Sequence, residues 1–66
     1  MNITINDNVH DVPSGSTITD LLEQLGMKSK YVAVERNLEL IPRAEHSDCL
    51  LVEGDKLEIV TLVGGG

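Results

Sequence analysis

The sequence predicts an α+β domain in which one short helix packs on one face of a mixed β-sheet. Three observations predict it: alternating apolar residues near both ends of the chain, one helical pattern between them, and a length of only 66 residues. That length suffices for a single domain and excludes two lobes around a large cleft. A domain so short buries only about 60% of its unfolded surface, so we expect modest stability.

The composition is that of a globular protein with an acidic surface. Apolar residues make up 41% of the chain, charged residues 24%, and the net charge is −6. The core must be aliphatic, because Phe and Trp are absent and Tyr31 is the only aromatic residue. Eleven acidic against five basic residues argue against a nucleic-acid surface. The charge favours a basic protein partner, or serves solubility alone.

The cysteine count and the start of the chain predict a cytoplasmic protein. Cys49 alone cannot close an internal disulfide, so a reducing compartment fits. The first twelve residues lack a basic stretch followed by an apolar run, so we expect no signal peptide. No apolar run approaches the ~20 residues that cross a bilayer, and no membrane partner is expected.

Two strands are predicted before the helix. Residues 1–5 alternate apolar with polar side chains, the period of a half-buried strand, and residues 6–8, Asn-Asp-Asn, tolerate a tight turn. A second strand covers roughly residues 9–12. Its phase stays open, because Val9 and Val12 cannot both point inward without a bulge.

One helix follows, with a start and a stop signal. Thr17 and Asp20 resemble a capping box, and Gly26 suits the left-handed position that ends a helix. The apolar residues between them recur at helical spacing: Ile18, Leu21, Leu22 and Leu25. About two turns are marginal alone in water, so this face must lie against a sheet.

Three strands complete the predicted sheet. Residues 31–36 read as a strand with Val32 and Val34 on one side, and Asn37 turns the chain into a strand over residues 38–41. Pro42 ends that strand or confines it to an edge.

The last part of the chain is predicted as a loop, a turn and a final strand. Residues 43–49 lack periodicity and read as a surface loop, and residues 53–55 form a turn. The strand at residues 56–63 directs Leu57 and Ile59 inward. A right-handed crossover places the first and last strands parallel in the middle of the sheet, the β-grasp plan. We expect residues 1–63 to form the domain and 64–66 a flexible tail.

The sequence contains no ordinary catalytic or metal-binding pattern. His10 and His46 have no ligand neighbour at metal spacing and are expected to be solvated. Cys49, beside Asp48, lacks a nearby basic group in the sequence to activate it. We therefore predict no catalytic side chain, no metal and no cofactor.

The three terminal glycines are the unusual feature. By themselves Gly64, Gly65 and Gly66 favour a frayed end. A carboxylate on a chain without Cβ atoms can, however, enter a narrow channel, and three residues reach roughly 10 Å. Glycine has the most backbone freedom to lose, so we expect a flexible tail.

Four segments spread over nearly the whole chain form a recognisable order. They are Ile3-x-Ile5-Asn6, Gly15-x-Thr17-Ile18 with Leu21, Leu22 and Leu25, Val32-Ala33-Val34-Glu35-x-Asn37-x-Glu39-x-Ile41-Pro42-Arg43, and Gly54-Asp55-x-Leu57-Glu58-Ile59-Val60-x-x-Val63-Gly64-Gly65. Together they resemble the sulfur-carrier proteins of thiamine biosynthesis, which have the ubiquitin-like β-grasp fold. The chain departs from that family at Leu38, where a glycine is common, and at His46, where an aromatic residue is common.

The resemblance implies a carrier and not an enzyme. An ATP-dependent adenylyltransferase related to ubiquitin-activating enzymes would adenylate the Gly66 carboxylate, and a cysteine desulfurase or other sulfur donor would supply sulfur. The resulting thiocarboxylate would serve a thiazole synthase, with Gly64 and Gly65 giving access.

Rival functions remain for the same sequence. The nearer ones are a sulfur carrier for molybdopterin or tRNA thiolation and a ubiquitin-like modifier, and the more distant one is a passive binding module. Under the carrier hypothesis Glu58, Val60 and Leu62 point to the sheet face without the helix, where they form a candidate partner-binding patch.

Overall fold

Residues 1–62, the part of the chain that this computed structural model describes, form a five-stranded sheet and one helix. The elements are β1 (Asn2–Ile5), β2 (Asn8–Asp11), α1 (Ile18–Gln24), β3 (Val32–Arg36), β4 (Glu39–Ile41) and β5 (Lys56–Thr61), with 3₁₀ turns at Ser29–Tyr31 and Arg43–Glu45. Val63 and the terminal glycines lie outside the described residues. The predicted domain boundary after residue 63 and the predicted flexible tail therefore lie outside them too.

The first and last strands are parallel neighbours in the middle of the sheet, as predicted. The strand order is β2-β1-β5-β3-β4. β1 pairs with β5 in parallel, with Thr4 opposite Lys56, while β3 pairs with β5 antiparallel, from Val32 opposite Thr61 to Arg36 opposite Leu57. The last strand is therefore hydrogen-bonded on both sides.

The core is aliphatic and lies between α1 and one face of the sheet. Its buried apolar side chains are Ile3, Ile5, Val12, Ile18, Leu21, Leu22, Val32, Val34, Leu51, Leu57 and Ile59. Every inward-facing residue predicted for β1, β3 and β5 that lies within these strands is among them. Within residues 1–62 no helix is long and apolar enough to cross a membrane.

Both ends of α1 form as the sequence predicts. The backbone N–H of Asp20 donates to the Thr17 hydroxyl, and the backbone N–H of Thr17 donates to the Asp20 carboxylate, which completes the capping box. Gly26 has a φ of 73°. The N–H groups of Gly26 and Met27 then donate to the carbonyls of Glu23 and Leu22 in the last turn, which closes the end of the helix.

The open phase of the second strand is resolved by the opposite directions of its two valines. β2 ends at Asp11, and hydrogen bonds between Val12 and Met1 continue its pairing with β1 by one residue. Val9 faces outward and is 73% exposed, whereas Val12 faces inward and is 5% exposed. No bulge is needed, because side chains three residues apart in a strand point to opposite faces.

The prediction of a solvated His46 in a surface loop is wrong. His46 is only 2% exposed, and residues 43–45 form a 3₁₀ turn that directs it inward. Its Nε2 donates to the carbonyl of Ile41 over 3.1 Å, and its Nδ1 lies 2.9 Å from the Ser29 hydroxyl. Both ring nitrogens have partners, which permits the burial of the ring. His10 is half-buried.

Two hairpin turns place non-glycine residues in the left-handed region. In the turn between β3 and β4, Asn37 has a φ of 52° and Leu38 a φ of 71°. Two-residue turns of this kind favour Asn-Gly, and Leu38 is 85% exposed, so burial does not offset its strain. The departure from the family pattern at Leu38 therefore carries a conformational cost.

Replacing that leucine with glycine should stabilise the domain. We expect Leu38→Gly to raise the free energy of unfolding by about 1 kcal/mol, because the Cβ strain of the left-handed region disappears. Denaturant unfolding measures the change. Leu40→Gly, in the extended strand β4, is the control and should destabilise the domain. Equal losses in both variants would contradict a strained turn.

Asn6 extends the hydrogen bonding of β5 beyond the end of β1. It lies in the turn after β1 with a φ of 49°. Its side-chain Oδ1 accepts from the backbone N–H of Ile59 at 2.8 Å, and its Nδ2 donates to the carbonyl of Ile59 at 3.1 Å. One side chain thus replaces a strand partner for Ile59. The sequence predicted only a turn residue at this position.

Removing this side chain should loosen β5 without disturbing the turn. Asn6→Gly keeps a residue that adopts positive φ, and it should lower the free energy of unfolding by about 1–3 kcal/mol through loss of the two hydrogen bonds. Asp7→Gly, at the next position of the same turn (φ 69°), is the matched control for the glycine itself. Similar unfolding free energies for the two variants would show that the Asn6 side chain contributes nothing.

Candidate functional site

The described chain ends just before the glycine tail, at a fixed point of the sheet. The backbone N–H of Leu62 donates to the carbonyl of Tyr31 over 2.8 Å, which continues the pairing of β3 with β5 past Thr61. Only Val63 separates Leu62 from the glycines. The predicted roles of Gly64, Gly65 and Gly66 fall outside the described residues and stay predictions.

The proposed partner-binding residues lie on the outward face of β5. Leu57 and Ile59 are buried beneath α1, whereas Val60 is 60% exposed and Leu62 47% exposed. Glu58 is half-buried. We call the sheet side that α1 does not cover the open face. The exposure of these three side chains agrees with the alternation, while their binding role remains a prediction.

Neighbouring strands extend this open face. Ala33 of β3 lies opposite Val60, and Glu35 lies opposite Glu58 on one side and opposite Leu40 of β4 on the other. Leu40 is 62% exposed. Ala33, Glu35 and Leu40 were not predicted to belong to the patch. The alternation of Ala33 and Glu35 with Val32 and Val34 is visible in the sequence, but the register that brings Leu40 and Glu58 beside Glu35 is not.

Cys49 has a basic neighbour after all, which corrects the sequence-based expectation. The Arg36 Nη1 donates to the Cys49 Sγ over 3.3 Å, and the Arg36 Nε donates to Asp55 over 3.0 Å. Burial lowers the pKa of Arg36, but the hydrogen bond to Cys49 and the Asp55 charge outweigh that effect and raise the pKa above its ordinary value. The sequence does not reveal this contact, because Arg36 and Cys49 are thirteen positions apart in the chain.

Asp55 is the centre of this polar cluster and has a structural role. It is 3% exposed and also accepts from the Asn37 side chain at 3.1 Å and from the backbone N–H of Val52 at 2.9 Å. Asp55 therefore joins the turn after β3 to the turn before β5. These hydrogen bonds hold the start of β5 in place.

No metal site forms in the described part of the chain. Across residues 1–62, no group of three or more His, Cys, Asp or Glu side chains could hold a metal ion. What the described residues offer is a well-anchored final strand and an open, partly apolar sheet face beside it.

Comparison with known proteins places this arrangement in a family. The sequence model described as the ThiS family matches residues 2–66. The thiazole synthase of Paramagnetospirillum magneticum is 42% identical over all 66 residues, and this chain spans 20% of its length. The sulfur carrier protein ThiS of Escherichia coli is 29% identical, with both chains fully covered.

A solved structure agrees with the sequence comparisons. The crystal structure of a thiamine biosynthesis protein (ThiS) from Geobacter metallireducens superposes with a TM-score of 0.85 at 32% identity, and each chain is fully covered. The predicted β-grasp fold is thereby confirmed. Because the family match extends over residues 2–66, including the terminal glycines, the chain belongs to the ThiS family.

Proposed function

We propose that this chain is a sulfur carrier of thiamine biosynthesis and that the Gly66 carboxylate is its reacting group. The observation that carries the proposal is the family match over residues 2–66, which includes the three terminal glycines. The anchoring of β5 adds to it, because a rigid strand leads to the tail. In this proposal the chain is a co-substrate of other enzymes and supplies no catalytic side chain.

The proposed chemistry has two stages. An adenylyltransferase first joins a Gly66 carboxylate oxygen to the α-phosphorus of ATP, and pyrophosphate leaves. A persulfide sulfur, supplied through a cysteine desulfurase, then attacks the acyl carbon, and AMP leaves. A second thiol cleaves the resulting acyl disulfide. The outer persulfide sulfur stays on Gly66 as the thiocarboxylate, while the inner persulfide sulfur and the second thiol form a disulfide.

In such a carrier the open face and the glycine tail have different tasks. Glu58, Val60 and Leu62 on the open face dock the adenylyltransferase, while Gly64 and Gly65 let the carboxylate enter its channel. Three glycines reach at most roughly 10 Å, so the docked position of β5 determines where the carboxylate can react. A tail without Cβ atoms also leaves the acyl carbon open to attack.

Two relatives support thiazole synthesis over the rival pathways. The proteins named thiazole synthase from Paramagnetospirillum magneticum and Magnetococcus marinus each contain a segment similar to this whole chain, at 42% and 38% identity. A covalent link between the two activities fits a carrier that delivers sulfur to that enzyme. We therefore place molybdopterin synthesis, tRNA thiolation and protein modification behind it.

The chemical proposal predicts a defined change of mass. Incubated with the adenylyltransferase of its own organism, ATP, a cysteine desulfurase, cysteine and a reducing thiol, the chain should gain the mass difference between one sulfur and one oxygen atom. Tandem mass spectrometry should locate the change at Gly66. Cys49→Ser should gain it equally, because the thiol has no assigned role.

Deletion of Gly66 is the variant that should lose the modification. It should abolish the modification, because the shortened tail no longer brings the carboxylate to the reacting position. Sulfur found on Cys49 with Gly66 unchanged would overturn the proposed mechanism.

The docking proposal predicts a local effect of charge on the open face. Val60→Asp should weaken binding to the adenylyltransferase by at least about fivefold, since it places a desolvated charge in an apolar contact. Leu50→Asp is the control, because Leu50 is similarly exposed (57%) but lies outside the sheet, beside Thr17 at the start of α1. Calorimetry measures both affinities, and circular dichroism verifies the fold. Equal affinities for the two variants would place the docking surface elsewhere.

A further inference from the structure

Two glutamates face each other across neighbouring strands on the open face. Glu35 of β3 and Glu58 of β5 are direct partners in the antiparallel register. Like charges in this position repel, because the side chains of directly opposite residues lie close together. We therefore expect the pair to cost stability in the free domain, and neither glutamate belongs to the core.

No cation within the described residues neutralises this pair. The ion pairs in residues 1–62 join the N-terminus to Asp11 and Arg36 to Asp55. Arg36 alternates with Glu35 and is directed to the other side of the sheet, where it contacts Asp55 and Cys49. Lys56 lies on the open face two residues before Glu58, but its ammonium is not within 4.0 Å of a carboxylate in the described part of the chain.

Apolar side chains surround the two glutamates. Val60 and Ala33 form the next cross-strand pair along the sheet, and Leu40 lies opposite Glu35 on β4. A partner that covers these apolar groups must also remove water from the carboxylates. Burying two like charges is strongly unfavourable, and Lys56 forms no ion pair with them here, so a partner that supplies a cation is favoured.

We propose that the open face binds a protein surface that inserts one arginine side chain between Glu35 and Glu58, inside an apolar contact with Val60, Ala33 and Leu40. A guanidinium suits this site because its planar fork donates to two carboxylates at once, which a lysine ammonium does less specifically. The inference rests on the proposed function, since it takes the adenylyltransferase as the partner. It adds the chemistry of the contact and identifies Glu35 as a residue that determines partner specificity.

Neutral variants of the two glutamates test this inference. Glu35→Gln and Glu58→Gln should each weaken binding to the adenylyltransferase by about tenfold or more, the usual effect of losing a hydrogen bond between charged groups. Each should also raise the melting temperature of the free domain, because the repulsion is removed. Glu23→Gln on the exposed side of α1 makes the same change in net charge and should alter neither quantity.

The double variant distinguishes one shared cation from separate contacts. With a single arginine between both carboxylates, the loss of affinity in the double Glu35→Gln, Glu58→Gln variant should be smaller than the product of the single losses. The affinity of the wild type should fall with added salt more steeply than that of the double variant.

The experiments distinguish a failure of the shared-arginine proposal from a failure of the proposed carrier function. If Val60→Asp weakens binding while both glutamine variants bind like Glu23→Gln, the shared arginine is excluded and the carrier function stands. Losses that multiply independently exclude a shared cation as well. A lowered melting temperature in the glutamine variants would assign the pair a structural role. A wild-type chain that neither binds the adenylyltransferase nor gains sulfur at Gly66 would overturn both proposals.

Discussion

The double pairing of β5 is the constraint on which the rest of the structure depends. The strand lies between β1 and β3, with a parallel neighbour on one side and an antiparallel neighbour on the other. A parallel neighbour cannot follow through a tight turn, so the chain must cross from one side of the sheet to the other. The crossing segment contains α1, and its apolar face covers one side of the sheet. The core, the open face and the exit of the tail all follow from this arrangement.

Polar side chains fix both ends of the central strand in a domain whose core is small. At the start of β5, Asp55 accepts hydrogen bonds from Arg36, Asn37 and the Val52 backbone. Further along, Asn6 supplies both the donor and the acceptor that Ile59 needs beyond the end of β1. The alternation of buried side chains already excludes a slip by one residue, because such a slip would turn the apolar side chains away from the core. Directional hydrogen bonds at two points define the position of the strand along the sheet.

The sheet separates stability from recognition. One face is buried beneath α1, and the open face carries the exposed side chains of Val60 and Leu40. Beside them lie Glu35, which is exposed, and Glu58, which is half-buried. In the proposed function a partner covers this face with apolar contact and positive charge. The domain then presents the reacting group, and other proteins complete the chemistry. The polar clusters near Cys49 and His46 hold the fold together instead.

Local patterns in the sequence determined the element order, the capping box of α1 and the inward-facing residues, because these depend on spacing along the chain. General rules of chain connection added the parallel pairing of the first and last strands. The outward direction of the open-face residues of β5 was also predicted from spacing, and a role for the glycine tail was predicted from the resemblance. Only the tertiary structure revealed the contact of Arg36 with Cys49, the burial of His46, the role of Asn6 and the opposition of Glu35 to Glu58. Each of these joins residues that are distant in sequence or on different strands. Their proximity depends on strand register and chain crossing, which local spacing does not encode.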